Sequence, residues 1–317
     1  MRPVLKTNDP VRLDFAQVVL TDAGIGSIVL DAHASVMDGS LGILPRRLMV
    51  ADDDFRRAEQ LLRDGLAPVD RAQGDTSEDR FLGGRVIVRQ PLGGFRAGLD
   101  AVMLAAAVPA DAGDEALELG AGAGTAALCL ASRVLQCSIV GVEIDPALAA
   151  IANGNAEANG AASRVRFEEG DVFDLPQDLK RDFAHVFCNP PFHGEDGEVS
   201  PDAARDLALR DNGRLGDWME LGLKRTASGG SFTAIVRADR LGEALARLPD
   251  RGVMLFPLWP RAGEPAKRIV IQVRKAGRAA GELLPGLILH QSDSGYTPQA
   301  EAVLRDGASL ALDSRRL

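Results

Sequence analysis

The chain has 317 residues, of which 46% are hydrophobic and 26% charged, and its net charge at neutral pH is −9. No stretch is apolar enough for a membrane span, and the first residues lack the apolar segment of a signal peptide, so we expect a cytoplasmic protein without a membrane partner. Three cysteines and four histidines are too scattered for a disulfide framework or a zinc site, so we expect no metal.

Residues 1–66 predict a small α/β unit with the element order βαββα. The expected elements are a strand at 4–6, a helix at 11–24 capped by Asn8-Asp9-Pro10, strands at 27–31 and 47–50, and a helix at 52–63. This order is typical of a ferredoxin-like sandwich. The stretches TNDP and GSLGILPRRLMV are similar to a small family of bacterial signal-transducing domains. That resemblance implies no activity.

The next segment, residues 67–80, reads APVDRAQGDTSEDR and has no apolar periodicity, which predicts a linker. Over residues 81–317 strand-like and helix-like segments alternate, which indicates an α/β fold with a doubly wound, Rossmann-like parallel sheet. Ligands of such sheets bind beyond the carboxyl ends of the strands. The residues that follow each predicted strand are therefore the candidates for a site.

The first candidate is ALELGAGAGTAALCLA, residues 116–131, which predicts a buried strand, a tight glycine turn and a helix. Glycines let the backbone approach a ligand and leave amide donors at the helix amino terminus. Nicotinamide and flavin enzymes also use such turns. Here, however, the pattern is E-x-G-x-G-x-G rather than G-x-G-x-x-G. The carboxylate of Glu118 suits the cationic ammonium group of S-adenosylmethionine, which favours this cofactor.

Two further acids follow predicted strands. Glu143 ends the strand SIVGVE about 20 residues beyond the glycine turn, where an acid accepts hydrogen bonds from both ribose hydroxyls. Its neighbour Asp145 fits a cap for the helix that starts at Pro146, and the same capping role is the alternative for Glu143. Asp171 follows the strand VRFEE, where an acid can bind the adenine amine. The alternative for Asp171 is a solvated loop acid.

The fourth candidate is HVFCNPPFHG, residues 185–194. An amine conjugated to a ring or a carbonyl is a poor nucleophile because its lone pair is delocalised. The side-chain oxygen of Asn189 and the carbonyl of Pro190 can accept its two N–H groups, and the prolines fix φ so that both acceptors are positioned in advance. Phe192 offers a flat face for a base. The alternative is a rigid proline turn with a core phenylalanine.

With these motifs, residues 81–312 resemble class I S-adenosylmethionine-dependent methyltransferases of the Asn-Pro-Pro-aromatic type, which act on planar amines. The resemblance implies that the cofactor is held by Glu118, Gly120, Gly122, Glu143 and Asp171. It implies that the target amine is received by Asn189, Pro190 and Phe192.

Three other segments are similar to bacterial adenine-N6 tRNA methyltransferases, which modify the adenosine 3′ of the anticodon in a valine tRNA. They are RQPLGGFRAGLDAVMLAAAV at 89–108, with a helix capped by Asp100, RAGEPAKR at 261–268, and YTPQAE at 296–301. The resemblance implies tRNA as the substrate. Residues 205–278 carry 15 basic and 8 acidic residues, a net charge of +7. Their basic side chains offer phosphate contacts or form a solvated edge, namely Arg261, Lys267, Arg268, Arg274 and Lys275.

Other readings stay open. Asn-Pro-Pro-Phe-His is similar to the motif of ribosomal-RNA guanine-N2 methyltransferases, whereas adenine enzymes more often carry tyrosine after the prolines. His193 is either a substrate contact or incidental. Glutamine-N5 methylation of a release factor is a second alternative, although its enzymes usually have a helical amino-terminal domain. A non-catalytic, cofactor-sensing regulator is the third, although such proteins typically lose the Asn-Pro-Pro motif.

Overall fold

The computed structural model describes residues 1–7, 10–30, 46–62, 76–92, 96–191, 214–292, 295–310 and 312. Its contacts divide the chain into two compact units, Met1–Ser77 and Glu78–Leu317. Within the described ranges, no helix combines the length and the apolar composition that a bilayer crossing requires.

The amino-terminal unit has the predicted order of elements. They are strand β1 (Arg2–Thr7), helix α1 (Pro10–Asp22), strands β2 (Ser27–Leu30) and β3 (Arg46–Val50), and helix α2 (residues 55–62). Strand β3 lies between β1 and β2 and is antiparallel to both. Leu48 of β3 is buried with Leu20 of α1 and Ala58 of α2, so the helices cover one face of the sheet. The predicted cap at Asn8 and Asp9 lies outside the described residues.

The predicted linker contains the start of a strand. Strand β4 (Thr76–Phe81) pairs with β5 (Val86–Pro91). Glu78 and Arg80 are exposed, while Asp79 between them accepts a hydrogen bond of 2.8 Å from the buried amide of Gln90. The linker prediction for 67–80 is therefore wrong over 76–80. Successive charged side chains there alternately face solvent and contact the partner strand, as in a sheet with one solvent-exposed face.

The carboxyl-terminal unit is built on one large mixed sheet. Its strands within the described ranges are β6 (Glu115–Leu119), β7 (Ser138–Glu143), β8 (Val165–Glu169), β9 (Phe183–Cys188), β10 (Thr226–Arg237), β11 (Val253–Trp259), β12 (Arg268–Arg274), β13 (Glu282–Leu283) and β14 (Leu287–Ile288). The helices are α3 (Leu99–Ala107), α4 (Thr125–Arg133), α5 (Pro146–Ala158), α6 (Leu215–Arg225), α7 (Leu241–Leu245) and α8 (Pro298–Leu304).

The strand order is β13-β11-β12-β10-β9-β6-β7-β8, with β14 also paired to β11. Strands β6 to β10 are parallel, β12 is antiparallel to β10, and β11 is antiparallel to β12. Alternate residues of β6 belong to the hydrophobic cores on the two faces of the sheet. Ala116 packs with α3 and α4, whereas Leu117 and Leu119 pack with α6. The doubly wound sheet predicted from the sequence is confirmed.

The strand order reverses between β6 and β9. Leu119 at the end of β6 lies opposite Cys188 at the end of β9. Gly120 and Asn189 therefore leave neighbouring strands, which are about 4.8 Å apart. Ligands of doubly wound sheets bind at this kind of reversal. The fold thus places the glycine turn beside the Asn-Pro-Pro motif.

Candidate active site

The turn between β6 and α4 is formed by glycines with left-handed backbone. Gly120, Gly122 and Gly124 have φ angles of 70°, 55° and 82°. A β-carbon at Gly120 would lie 2.9 Å from the ring of Trp218, and one at Gly124 would lie 2.5 Å from the ring of Phe167. A β-carbon at Gly122 would meet no described atom within 4 Å. Two of the glycines are thus required by packing, and the third leaves room for a ligand to approach the backbone.

Glu143, at the end of β7, fastens this turn to the next helix. One carboxylate oxygen accepts the Gly122 N–H at 2.7 Å, and the other accepts the Asp145 N–H at 3.0 Å. Asp145 in turn caps α5 by accepting the Ala147 N–H at 2.8 Å, as predicted. A carboxylate offers about four acceptor sites, so Glu143 retains about two for a ligand's hydroxyl groups.

Glu118 is a buried carboxyl group beneath the turn, with 3% of its surface exposed. Its Oε2 accepts the Ala127 N–H at 3.1 Å. Burial, and to a smaller extent the neighbouring charge of Glu143, raise the pKa of Glu118 well above its usual range. A cationic group beside it would favour the ionised form, so the position suits a positively charged ligand.

Asp171 follows β8 at the same edge of the sheet and is exposed. Its Oδ1 accepts the Phe173 N–H at 2.9 Å. The ring of Phe173 meets Trp218 edge to face with centroids 5.7 Å apart, and the Arg214 guanidinium lies 3.4 Å from the Phe173 ring centroid. Phe173 and Trp218 were not predicted as site residues, because only the folded chain brings the loop after β8, helix α6 and Gly120 together.

Asn189 follows β9 at the strand reversal, and Pro190 after it is buried. The Asn189 side-chain oxygen is itself buried and accepts no hydrogen bond from any described residue. A buried acceptor without a partner costs about 1–3 kcal/mol, so its position calls for a hydrogen-bond donor. This oxygen is therefore available to an N–H group of a ligand. Phe192 and His193 lie outside the described residues.

Asn155 of helix α5 and Asn159, the C-cap of that helix, bind the backbone of β5 as a neighbouring strand would. Asn155, with 2% of its surface exposed, accepts the Arg89 N–H at 2.8 Å and donates to the Arg89 carbonyl at 2.9 Å and the Ala123 carbonyl at 3.0 Å. Asn159 binds the N–H and carbonyl of Ile87 at 2.9 and 2.6 Å. Asn155 thus ties β5 to the glycine turn. The two asparagines are four residues apart, which places them on one side of the helix end, and this signal in the sequence was missed.

Asp100 does not cap α3 as predicted. Gly98 is the N-cap, and Asp100 lies in the first turn, where its Oδ2 accepts from Arg268 Nε at 2.8 Å. A cap at Asp100 would start the helix at residue 101, so α3 begins two residues earlier than predicted, and the carboxylate binds Arg268 instead of the helix amides. The ion pair fixes the start of α3 to the start of β12, at the edge that carries the candidate site.

The five basic residues predicted as phosphate contacts lie at two opposite edges of the sheet. Arg261, Lys267 and Arg268 are at the carboxyl edge, because Arg268 pairs with Arg237 at the end of β10. Arg274 pairs with Ser231 at the far end of the same strands. Lys275 beside it donates to the carbonyls of Lys224 and Thr226. The last two thus lie away from the candidate site, which favours for them the alternative of a charged edge on late strands.

Comparison with known proteins gives two family matches. Residues 97–216 match the family described as "Methyltransferase small domain", and residues 1–65 match "Putative prokaryotic signal transducing protein". Both resemblances predicted from the motifs are confirmed.

Similar curated proteins include two tRNA1(Val) (adenine(37)-N6)-methyltransferases. The protein from Yersinia enterocolitica is 30% identical over 219 residues, which cover 67% of this chain and 85% of the relative. The one from Yersinia pseudotuberculosis is 28% identical over 218 residues, with 67% and 85% covered. A crystal structure of "a predicted O-methyltransferase" from Agrobacterium tumefaciens is similar with a TM-score of 0.56 and 27% identity, covering 67% of this chain and 98% of that one.

Proposed function

We propose that this chain, which belongs to the S-adenosylmethionine-dependent methyltransferases with a methyltransferase small domain, methylates the exocyclic N6 amine of an adenosine in tRNA. The names of the curated relatives support adenosine in tRNA as the target. The observation that carries the proposal is the buried Asn189 oxygen without a described partner, at the strand reversal beside the glycine turn.

The residues at this edge fit S-adenosylmethionine. The buried carboxyl of Glu118 suits its cationic part, and the remaining acceptor sites of Glu143 suit the ribose hydroxyls. Gly122 leaves room for backbone approach, and the exposed Asp171 suits the adenine amine. When bound, the cofactor supplies an electrophilic methyl group on a positively charged sulfur.

The chain's own contribution is to bind and orient the target amine. The Asn189 oxygen accepts one N–H of the amine, and the Pro190 carbonyl accepts the other. Holding both N–H groups turns the nitrogen lone pair out of conjugation with the base and toward the methyl group. The two prolines restrict the backbone, so that little freedom is lost when the amine binds. Stacking of the base on Phe192 stays a prediction, since that residue is outside the described ranges.

The proposal is tested by nucleoside mass spectrometry of tRNA and ribosomal RNA from a strain that lacks the gene. We expect N6-methyladenosine to disappear from tRNA and to return with the wild-type gene but not with Asn189→Ala. Loss of N2-methylguanosine from ribosomal RNA would instead identify guanine as the target base. Unchanged nucleosides in both RNA pools would contradict an RNA substrate.

A further inference from the structure

A groove of about 850 Å³ opens where β11 and β14 end, and its size falls in the ~300–1,000 Å³ range of ligand sites. We call it the β11 groove. Its walls come from the end of β11, the loop 261–265, strand β14 and the start of α8. The lining residues used below are Trp259, Arg261, Glu264, Gly286, Ile288 and Gln299.

The β11 groove lies at the same edge of the sheet as Asn189. Strand β11 is antiparallel to β12, which is antiparallel to β10, so the end of β11 lies beside the carboxyl end of β10. Three steps of about 4.8 Å separate β9 from β11, roughly 14 Å across the sheet. Stacked nucleotides rise about 3.4 Å each, so about four nucleotides span this distance.

One wall of the groove is an aromatic ring that is already immobilised. The indole N–H of Trp259 donates to the Pro285 carbonyl at 3.1 Å. Gly286 passes so close that a β-carbon there would lie 2.8 Å from the indole nitrogen, and its φ of 81° is left-handed. Ile288 nearby is 39% exposed. A fixed aromatic ring beside exposed apolar surface is a stacking platform for a nucleobase.

Two exposed cations lie beside this platform. Arg261 is exposed in the lining, and its contact with Glu264 at 3.7 Å is a solvent-exposed ion pair of little energetic value. Lys267 is exposed, lies between the groove and Asn189, and has no ion-pair partner among the described residues. A single-stranded RNA loop presents unpaired bases next to phosphates. An aromatic ring next to cations is complementary to such a loop, because the ring stacks on a base and the cations bind the phosphates.

We propose that the β11 groove binds nucleotides of the tRNA that flank the target adenosine, with a base on Trp259 and phosphates on Arg261 and Lys267. This inference rests on the proposed function, because it assigns the docking surface of the same substrate. The amide of Gln299 at the start of α8 adds a hydrogen-bonding group for the edge of the bound base.

The test uses the full-length protein, tRNA binding by fluorescence anisotropy at several salt concentrations, and methyl-transfer kinetics. Trp259→Ala weakens tRNA binding by about ten- to a hundredfold, and Trp259→Phe restores most of it. Lys267→Glu raises KM for tRNA by about tenfold and reduces the slope of log affinity against log salt by about one. The matched control is Arg274→Glu, the same charge change at the opposite edge, which stays within about twofold.

The affinity of each variant for S-adenosylmethionine serves as the control for folding, and we expect it to be unchanged in every variant. If Trp259→Ala no longer binds S-adenosylmethionine, Ile288→Glu is used as the test variant instead. It places an acid at an exposed position of the groove and is expected to raise KM for tRNA. A wild-type protein that neither binds nor methylates tRNA refutes the proposed function itself. A wild-type protein that methylates tRNA, with groove variants that behave like Arg274→Glu, overturns the groove inference alone.

Discussion

Replacing Asn155 by leucine keeps the number of side-chain heavy atoms and removes three hydrogen bonds, to Arg89 N–H, Arg89 carbonyl and Ala123 carbonyl. Asn155 is 2% exposed and its bond to the Ala123 carbonyl is buried, so water replaces little of what is lost. At about 1 kcal/mol each, the loss is about 3 kcal/mol. For a unit of this size that lowers Tm by about 6–12 °C.

The assay combines thermal unfolding with amide hydrogen exchange. Asn159→Leu, at a half-buried position, is expected to cost about 1 kcal/mol, because water replaces part of what it loses. Glu157→Ala, exposed on the same helix, is the control and changes stability by less than about 0.5 kcal/mol. The Arg89 amide exchanges faster only in Asn155→Leu. A Tm equal to that of the control, with Arg89 still protected, would refute the strand-replacing role.

The remaining predictions concern the cofactor side of the site. The raised pKa of Glu118 means that its protonated form stabilises the fold at low pH, and this stability is lost as pH rises through the pKa of the folded state. Glutamine cannot ionise, so the Tm of Glu118→Gln exceeds that of the wild type by more as pH rises. Thermal scans at several pH values measure this difference. A cationic ligand favours ionised Glu118, so the affinity of the wild type for S-adenosylmethionine rises with pH, by up to about tenfold per pH unit below the pKa of Glu118. Calorimetric titrations measure this, and an affinity that does not change with pH would contradict it. Gly120→Ala weakens the same binding by more than about tenfold, whereas Gly154→Ala, open and exposed in α5, leaves it unchanged and slightly stabilises the helix.

The parts of the site that are local in sequence were predictable. Glu118 and the glycine turn follow one strand, and Asn189 follows another, so strand prediction together with the rule for doubly wound sheets places them at one edge. The capping role of Asp145 is also local, since a helix cap and its amides are neighbours in the chain.

The parts that depend on packing between distant segments were not predictable. Trp218 contacts Gly120 only because α6 packs beneath the turn, and Asp100 meets Arg268 only because β12 lies beside α3. Strand β4 was taken for a linker because its charged residues hide the alternation that pairing with β5 reveals. The opposite positions of Lys267 and Arg274 follow from strand register, which composition does not encode.

The most direct test of the account is methyl transfer by the purified protein from isotopically labelled S-adenosylmethionine to tRNA lacking the modification, followed by nucleoside mass spectrometry. We predict label in N6-methyladenosine with the wild-type protein, and none with Asn189→Ala, although calorimetry shows that this variant binds the cofactor within a few-fold of the wild type. An unchanged rate for Asn189→Ala, or label in N2-methylguanosine instead, would contradict the account.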